Sequence, residues 1–225
     1  MANEHLCVKT GFVPLLNGVN LVPKVTYPNG TYDAKGNSLK SWEQLVSDGD
    51  IILTPYGPPS RNLYTLATPS DRVARFSGVK KIVLPDWTIV GIDSSSFEKC
   101  SDLEEFYFGK VESVYQTNIG ERAFRECTNL RNVQFASDNS YYIESTAFGM
   151  CAMKSINMPG SSVLTGYIGT WAFVYCDQLE TATIGSSFEI HELSFDECPN
   201  LKTIYYSGTS AGAPWGAVNA TVISV

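Results

Sequence analysis

From residue 92 onward the apolar residues recur in a fixed frame, neither purely helical nor simply alternating. The clearest copy is Ile119-Gly120-Glu121-Arg122-Ala123-Phe124-Arg125-Glu126-Cys127-Thr128-Asn129-Leu130-Arg131-Asn132-Val133-Gln134-Phe135, or I-G-x-x-A-F-x-x-C-x-x-L-x-x-V-x-F. An upstream copy carries Ile92, Ser96, Phe97, Cys100, Leu103, Phe106 and Phe108. Downstream come Ile143, Ala147, Phe148, Cys151, Met153, Ile156 and Met158, with one residue missing between Cys and Met. Two more copies are centred on Phe173-Cys176-Leu179 and Phe195-Cys198-Leu201. The Cys-to-Cys intervals are 27, 24, 25 and 22 residues, and an internal period of this size predicts a solenoid. Phe and Cys three apart share one face of a short helical turn. The Ala before Phe lets that turn approach its neighbour closely. The L-x-x-V-x-F piece ends in apolar/variable alternation, which predicts a short half-buried strand. A single coil cannot bury its apolar face, whereas stacked coils can. Successive strands then form a parallel ladder about 4.8 Å apart, with Phe on Phe and Cys on Cys.

This frame resembles the BspA-like leucine-rich repeats, with five in-frame copies over about residues 75–225. The resemblance implies an α/β repeat solenoid, a right-handed leucine-rich repeat with a parallel sheet on one face and short helical turns on the other. It also implies a non-catalytic role in adhesion or protein recognition, without specifying the ligand.

Residues 1–68 contain no copy of the frame. Asn17-Gly18 between two apolar runs predicts a β-hairpin, and Pro28-Asn29-Gly30 is a further turn signal. Ser41 with Gln44 predicts a capping box opening one or two helical turns, ended by Asp48-Gly49. Residues 51–53 read as a strand and 55–60 as a loop. So small a segment has little to bury alone and is expected to lean on the solenoid, on another chain, or on both. Residues 79–85 read as the strand of an incomplete first coil. The longest loops are expected at 109–118, 137–142 and 160–167. Trp215 and the strand after it are expected to close the far end.

Charge sharpens the division. Residues 1–68 hold five Lys/Arg and five Asp/Glu, leaving eleven and eighteen for residues 69–225 of a chain with net charge −7. We therefore expect a boundary near Thr68-Pro69, with a β-rich docking segment before it and the solenoid after it. A net negative chain is a poor partner for nucleic acid. No apolar run reaches the roughly 18 residues of a membrane span. The opening Met-Ala-Asn-Glu-His-Leu is not read as a signal peptide. Two locations fit that reading: a virion surface, with residues 1–68 docked in a protein assembly, or a bacterial cell surface, with a leader removed.

Candidate chemistry adds little. Five of the six cysteines hold one frame position, which suits buried small hydrophobes. They lack the local spacing of a zinc site. His191 with Cys198 is the nearest approach to a nucleophile pair, and a reactive Cys needs an exposed, electropositive setting. Asp138-Asn139 is a weak calcium candidate. Asn29-Gly30-Thr31 and Asn219-Ala220-Thr221 match a glycosylation sequon. No phosphate-cradling or hydrolase motif occurs. No enzyme, cofactor or metal is expected. The variable positions of the strand piece should face outward, and they differ from coil to coil. Glu105, Tyr107, Arg131, Gln134, Asn157, Thr183 and Tyr205 are the candidate contacts to an external protein or glycan.

Overall fold

A computed structural model describes residues 28–58, 61–137, 139–209 and 211–225. The expected hairpin around Asn17-Gly18 lies outside the described residues. Before the repeats come β1 (Gly30–Tyr32), β2 (Ser38–Ser41), α1 (Trp42–Ser47), β3 (Ile52–Pro55), β4 (Tyr64–Ala67) and α2 (Arg72–Arg75). The capping box forms as expected: the Ser41 side chain accepts from the Gln44 N–H, and the Gln44 side chain accepts from the Ser41 N–H.

The repeats then lay down strands on two faces. The front strands are β5 (Lys81–Val83), β7 (Glu105–Tyr107), β9 (Asn132–Gln134), β11 (Ser155–Met158), β13 (Thr181–Ile184), β15 (Thr203–Tyr206) and β16 (Thr221–Ser224). The back strands are β6 (Ile89–Ile92), β8 (Gln116–Ile119), β10 (Ser140–Ile143), β12 (Gly166–Ile168) and β14 (Phe188–Ile190). The back sheet runs β14-β12-β10-β8-β6-β4-β3 without interruption, whereas the front is two sheets, β2-β1-β5-β7-β9 and β11-β13-β15-β16. Neighbouring repeat strands are parallel and in register, as in Tyr141 opposite Thr117 and Ala182 opposite Ile204.

The back sheet corrects the expected loops, because β8, β10 and β12 occupy the last residues of those three segments. Their alternation spans only three or four residues, too short to stand out in sequence. The turns between back and front strands are single turns, not regular helices. The first four contain two non-glycine residues each at positive φ, such as Arg122 (58°) and Glu126 (61°), or Trp171 (57°) and Tyr175 (55°). A left-handed residue stops right-handed helix propagation.

These turns are tied coil to coil. The Phe124 N–H donates to the Ala147 carbonyl at 2.7 Å and the Phe148 N–H to that of Ala172 at 2.8 Å. A small residue, Ala or Ser, stands here because the two backbones approach this closely, as also where the Phe173 N–H donates to the Ser194 carbonyl at 3.0 Å. Gly120 is needed for a similar reason on the back face, where a Cβ would lie 2.6 Å from the Ser94 nitrogen. The core follows from the stacking. Phe97, Phe124, Phe148, Phe173 and Phe195 form a column with ring centroids 5.0–5.4 Å apart and interplanar angles of at most 14°. The expected Phe ladder is therefore present.

Both ends are covered by strands. β1 pairs antiparallel with β5, and β4 pairs parallel with β6. The described part of residues 28–68 thus extends both sheets of the solenoid, which is how the expected leaning is realised. Buried Asp50 fixes this cap through Lys40 (2.5 Å) and Arg75 (3.0 Å). At the other end Trp215 is buried edge-on against Tyr206 at 5.2 Å. β16 pairs with β15, as expected of a closing segment.

Candidate functional site

The five ladder thiols are buried and unbridged. Their role is more specific than filling space. The Cys127 Sγ donates to the Phe97 carbonyl (3.0 Å), Cys151 to Phe124 (3.3 Å), Cys176 to Phe148 (3.2 Å) and Cys198 to Phe173 (3.0 Å). Four of the five thiols thus donate to a carbonyl of the preceding coil; the Phe97, Phe124 and Phe173 carbonyls also accept from the Cys N–H of their own coil, whereas the Phe148 carbonyl accepts from the Cys176 thiol. Burial pushes the Cys100 thiol up to about 12 and raises those of Cys127 and Cys151 as well. The adjoining Cys198 thiol, followed by burial, raises Cys176, and the neighbouring Cys176 thiol lowers Cys198. Cys198 is nonetheless buried, with its thiol proton directed at the Phe173 carbonyl. The His191–Cys198 idea therefore lacks an exposed nucleophile. His191 instead uses Nδ1 to accept from the Leu193 N–H at 3.3 Å.

The calcium candidate also loses its oxygen. Asp138 lies outside the described residues. The Asn139 Oδ1 accepts from the Val111 N–H at 3.1 Å, and its Nδ2 donates to the Gly109 carbonyl at 3.1 Å. Asn219 is likewise engaged, donating to the Pro199 carbonyl at 3.2 Å. Among the described residues no group of three His, Cys, Asp or Glu is placed to hold a metal ion.

The outward positions of the front strands form two rows. One runs Lys81, Glu105, Asn132, then Ser155, Thr181, Thr203 and Thr221. The other runs Val83, Tyr107, Gln134, then Asn157, Thr183, Tyr205 and Ile223. Six of the seven candidate residues stand in these rows, five of them in the second; Arg131 precedes β9. Gln134, Asn157, Thr183 and Arg131 are exposed, while Glu105, Tyr107 and Tyr205 are half-buried. The Tyr107 hydroxyl donates to the Glu105 carboxylate at 2.6 Å. Glu105 also meets Lys81 at 3.3 Å, and the Lys81 ammonium lies 5.5 Å from the Tyr107 ring centroid. The first half of the face is thus charged, and the second half is rich in hydroxyls.

Between the halves the sheet is split, and the sequence holds the cause. Four copies read C-x-x-L, but Cys151-Ala152-Met153 is one residue shorter. In the longer copies the Leu N–H closes a turn onto the Cys carbonyl, as Leu130 does onto Cys127 at 2.9 Å. The next two N–H groups then reach one carbonyl of the preceding coil. Arg131 and Asn132 both donate to Glu104, and Glu180 and Thr181 both donate to Lys154. In the short copy the donor is displaced, and the Ala152 N–H bonds to the Leu130 carbonyl instead. The lost residue also corresponds to Asn129, Asn200 and Asn219, whose side chains donate to the Ser101, Asp177 and Pro199 carbonyls of the coil before. Among the described residues no ladder joins β9 to β11.

Two adjoining depressions follow the split. One of about 490 Å³ is lined by Glu105, Asn129, Arg131, Asn132, Ala152, Lys154 and Gln178. The other, about 670 Å³, includes Lys110, Asn132, Val133, Gln134, Ser137 and Asn157 in its lining. Both share Asn132. Of the candidate residues the split gathers Glu105, Arg131, Gln134 and Asn157, and leaves Tyr107, Thr183 and Tyr205 aside. Asn132 and Lys154 are among the variable outward positions expected from the strand piece, whereas Lys110 and Gln178 were not expected there. Their signal in the sequence is the short Cys-to-Met interval.

Stacked short strands joined by non-helical turns, with no assembled catalytic group among the described residues, define a solenoid of the leucine-rich-repeat class. The family model for the BspA type leucine rich repeat region matches residues 73–116 and 92–212 in six copies. The chain belongs to this family, whose repeats make binding rather than catalytic proteins. Among solved structures it resembles a leucine-rich repeat protein of T. pallidum, at 19% identity and TM-score 0.57, over 78% of this chain and 79% of that one. It also resembles a leucine rich cell surface protein from Faecalibacterium prausnitzii, at 27% identity and TM-score 0.53, over 72% of this chain and 39% of that one. No curated protein matches the chain. The relatives speak for the bacterial cell-surface alternative and give the virion reading no support.

Proposed function

We propose that this chain is a non-enzymatic recognition module displayed on a bacterial cell surface, with the front sheet as its contact face. The observation that carries this reading is the contrast within each repeat. The Phe and Cys of the turns repeat unchanged, while the second outward row, Val83, Tyr107, Gln134, Asn157, Thr183, Tyr205 and Ile223, changes from each coil to the next; the first row is uniform only in the threonines of β13, β15 and β16. A structural face alone has no need of such variety, whereas a face matched to an irregular partner does. The cell-surface placement rests on the family and on the likeness to the Faecalibacterium cell surface protein. Among the described residues no helix is long and apolar enough to cross a membrane. The partner class is an external protein or glycan. Docking of residues 1–68 to an assembly or anchor remains part of the proposal, although its described strands already cap the solenoid.

The test is binding of the purified chain to protein and glycan arrays. Tyr107→Ala, Thr183→Arg and Tyr205→Ala together should abolish array binding while the chain still unfolds in one cooperative transition, with its melting temperature lowered only modestly by the lost Tyr107–Glu105 bond. Back-face changes, Tyr142→Ala with Tyr167→Ala, should leave binding intact. The reverse pattern would assign recognition to the back sheet and overturn the reading. Antibody labelling of intact native cells, without permeabilisation, tests the location.

A further inference from the structure

We infer that the split in the front sheet is a docking trough for an extended, carboxylate-bearing segment of a partner protein. This deepens the proposed front-face function and rests on it.

The first argument is the main chain. Alternate residues of a strand turn their N–H and C=O groups to opposite sides. The Gln134 carbonyl is taken by the Phe108 N–H on the β7 side, and the Met158 carbonyl by the Gly185 N–H on the β13 side. The groups of Val133 on β9, and of Ser155 and Asn157 on β11, therefore face the split. An open strand edge offers hydrogen-bonding groups to another chain; β9 and β11 come within 8 Å of each other, less than the roughly 10 Å that two strands need around a third, so the partner segment lies over the trough and its carboxylates, rather than its main chain, meet the N–H groups.

The second argument is the side chains. Asn132, Gln134, Asn157 and Gln178 bring amides that both donate and accept, as peptide groups require. The only aromatic rings in the lining, Phe108 and Phe135, are buried in the core, so a sugar finds no exposed ring to stack on. The third argument is charge. Arg131 is engaged by Glu104, and Glu105 by Lys81. Lys110 and Lys154 have no ion pair with a described carboxylate. They stand near opposite ends of a lining that holds three cations, Lys110, Arg131 and Lys154, against two carboxylates, Glu105 and Asp86, the latter accepting from the Lys110 N–H at 2.8 Å; on a protein of net charge −7 this local excess of cations favours an acidic partner. At about 3.3 Å per residue, the stretch from Arg131 to Ser137 matches a segment of roughly six residues.

Fluorescence anisotropy tests this with three fluorescein-labelled probes: an octapeptide of alternating Glu and Thr, its Lys–Thr counterpart, and an oligogalacturonate of equal charge to the first. The Glu–Thr peptide should bind the intact chain and the Lys–Thr peptide should not. Inserting an asparagine between Ala152 and Met153 restores C-x-x-M and should close the ladder. Binding should then fall at least about tenfold. Lys110→Glu with Lys154→Glu should do the same without touching the core, and it decides the matter if the insertion impairs folding. The proposal is overturned if the intact chain ignores the Glu–Thr peptide. It is also overturned if a folded insertion or charge variant binds that peptide as before, or if the oligogalacturonate binds more tightly. If both trough variants keep array binding while the Tyr107/Thr183/Tyr205 variant loses it, the front-face reading stands and the trough falls. If array binding survives all of them, both fall.

Discussion

The back and front sheets are built from the same coils, yet only the back sheet runs unbroken. The Cys lies eight positions after the back-strand Ile in every copy: Ile92 to Cys100, Ile119 to Cys127, Ile143 to Cys151, Ile168 to Cys176 and Ile190 to Cys198. That arc holds the Phe column and the thiol bonds, and any change in its length would displace both. The arc from Cys to the front strand carries less and is shortened once, at Ala152. The difference teaches that a solenoid tolerates irregularity where a surface ladder is at stake, and resists it where the core column is at stake. Tolerated irregularity on an outward face is where a binding feature can arise at little cost to folding.

The comparison predicts its largest effect in the shared core. Phe124→Ala removes a ring stacked on both sides and should cost about 3–5 kcal/mol, read by denaturant unfolding. Tyr142→Ala, on the exposed back surface and stacked, among the described residues, on Tyr167 at 4.8 Å, should cost under about 1.5 kcal/mol. Equal losses would break the distinction between column and surface.

The split itself is sharpened by amide hydrogen exchange. Val133, Ser155 and Asn157 should exchange at least about tenfold faster than the residues of β8, which are paired on both sides. Comparable protection would mean that the two front sheets are joined in solution.

The thiol bonds come next. Cys176→Ala leaves the Phe148 carbonyl, whose donor among the described residues is this thiol, unsatisfied and should cost about 1–3 kcal/mol, whereas Cys176→Ser should recover part of the loss. Their pH dependence has a definite sign. Burial raises the Cys100 thiol from its ordinary value of 9.0 to about 12, so above pH 9 the unfolded chain releases the proton first. Stability is full below that value and should fall as pH climbs towards 12. Cys100→Ala should flatten that fall, as followed by urea midpoints across the range. An unchanged slope would remove Cys100 from the account.

The smallest effect should be that of Asn200→Ala, which removes the side-chain bond to the Asp177 carbonyl. About 1 kcal/mol is expected, with no change in array binding. A larger loss would mean that these amides, rather than the thiols, hold the front arc in place.

The sequence by itself determined the coil. The Phe, Cys and Leu spacing requires a stacked core, because no single copy buries its apolar face, and the column and closing Trp215 followed from that. The capping box at Ser41 was legible because it needs only residues three apart. The back strands were not legible, since three-residue strands such as Gly166–Ile168 carry too little alternation to register. Nor was the joining of residues 28–68 to both sheets, because strand pairing between β1 and β5 depends on distant edges meeting in space. The missing residue at Ala152 was visible in the sequence, but its consequence was not. One deletion is harmless in a loop and decisive where successive N–H groups must reach a carbonyl fixed by the coil before, and only the tertiary structure brings that carbonyl and those N–H groups together.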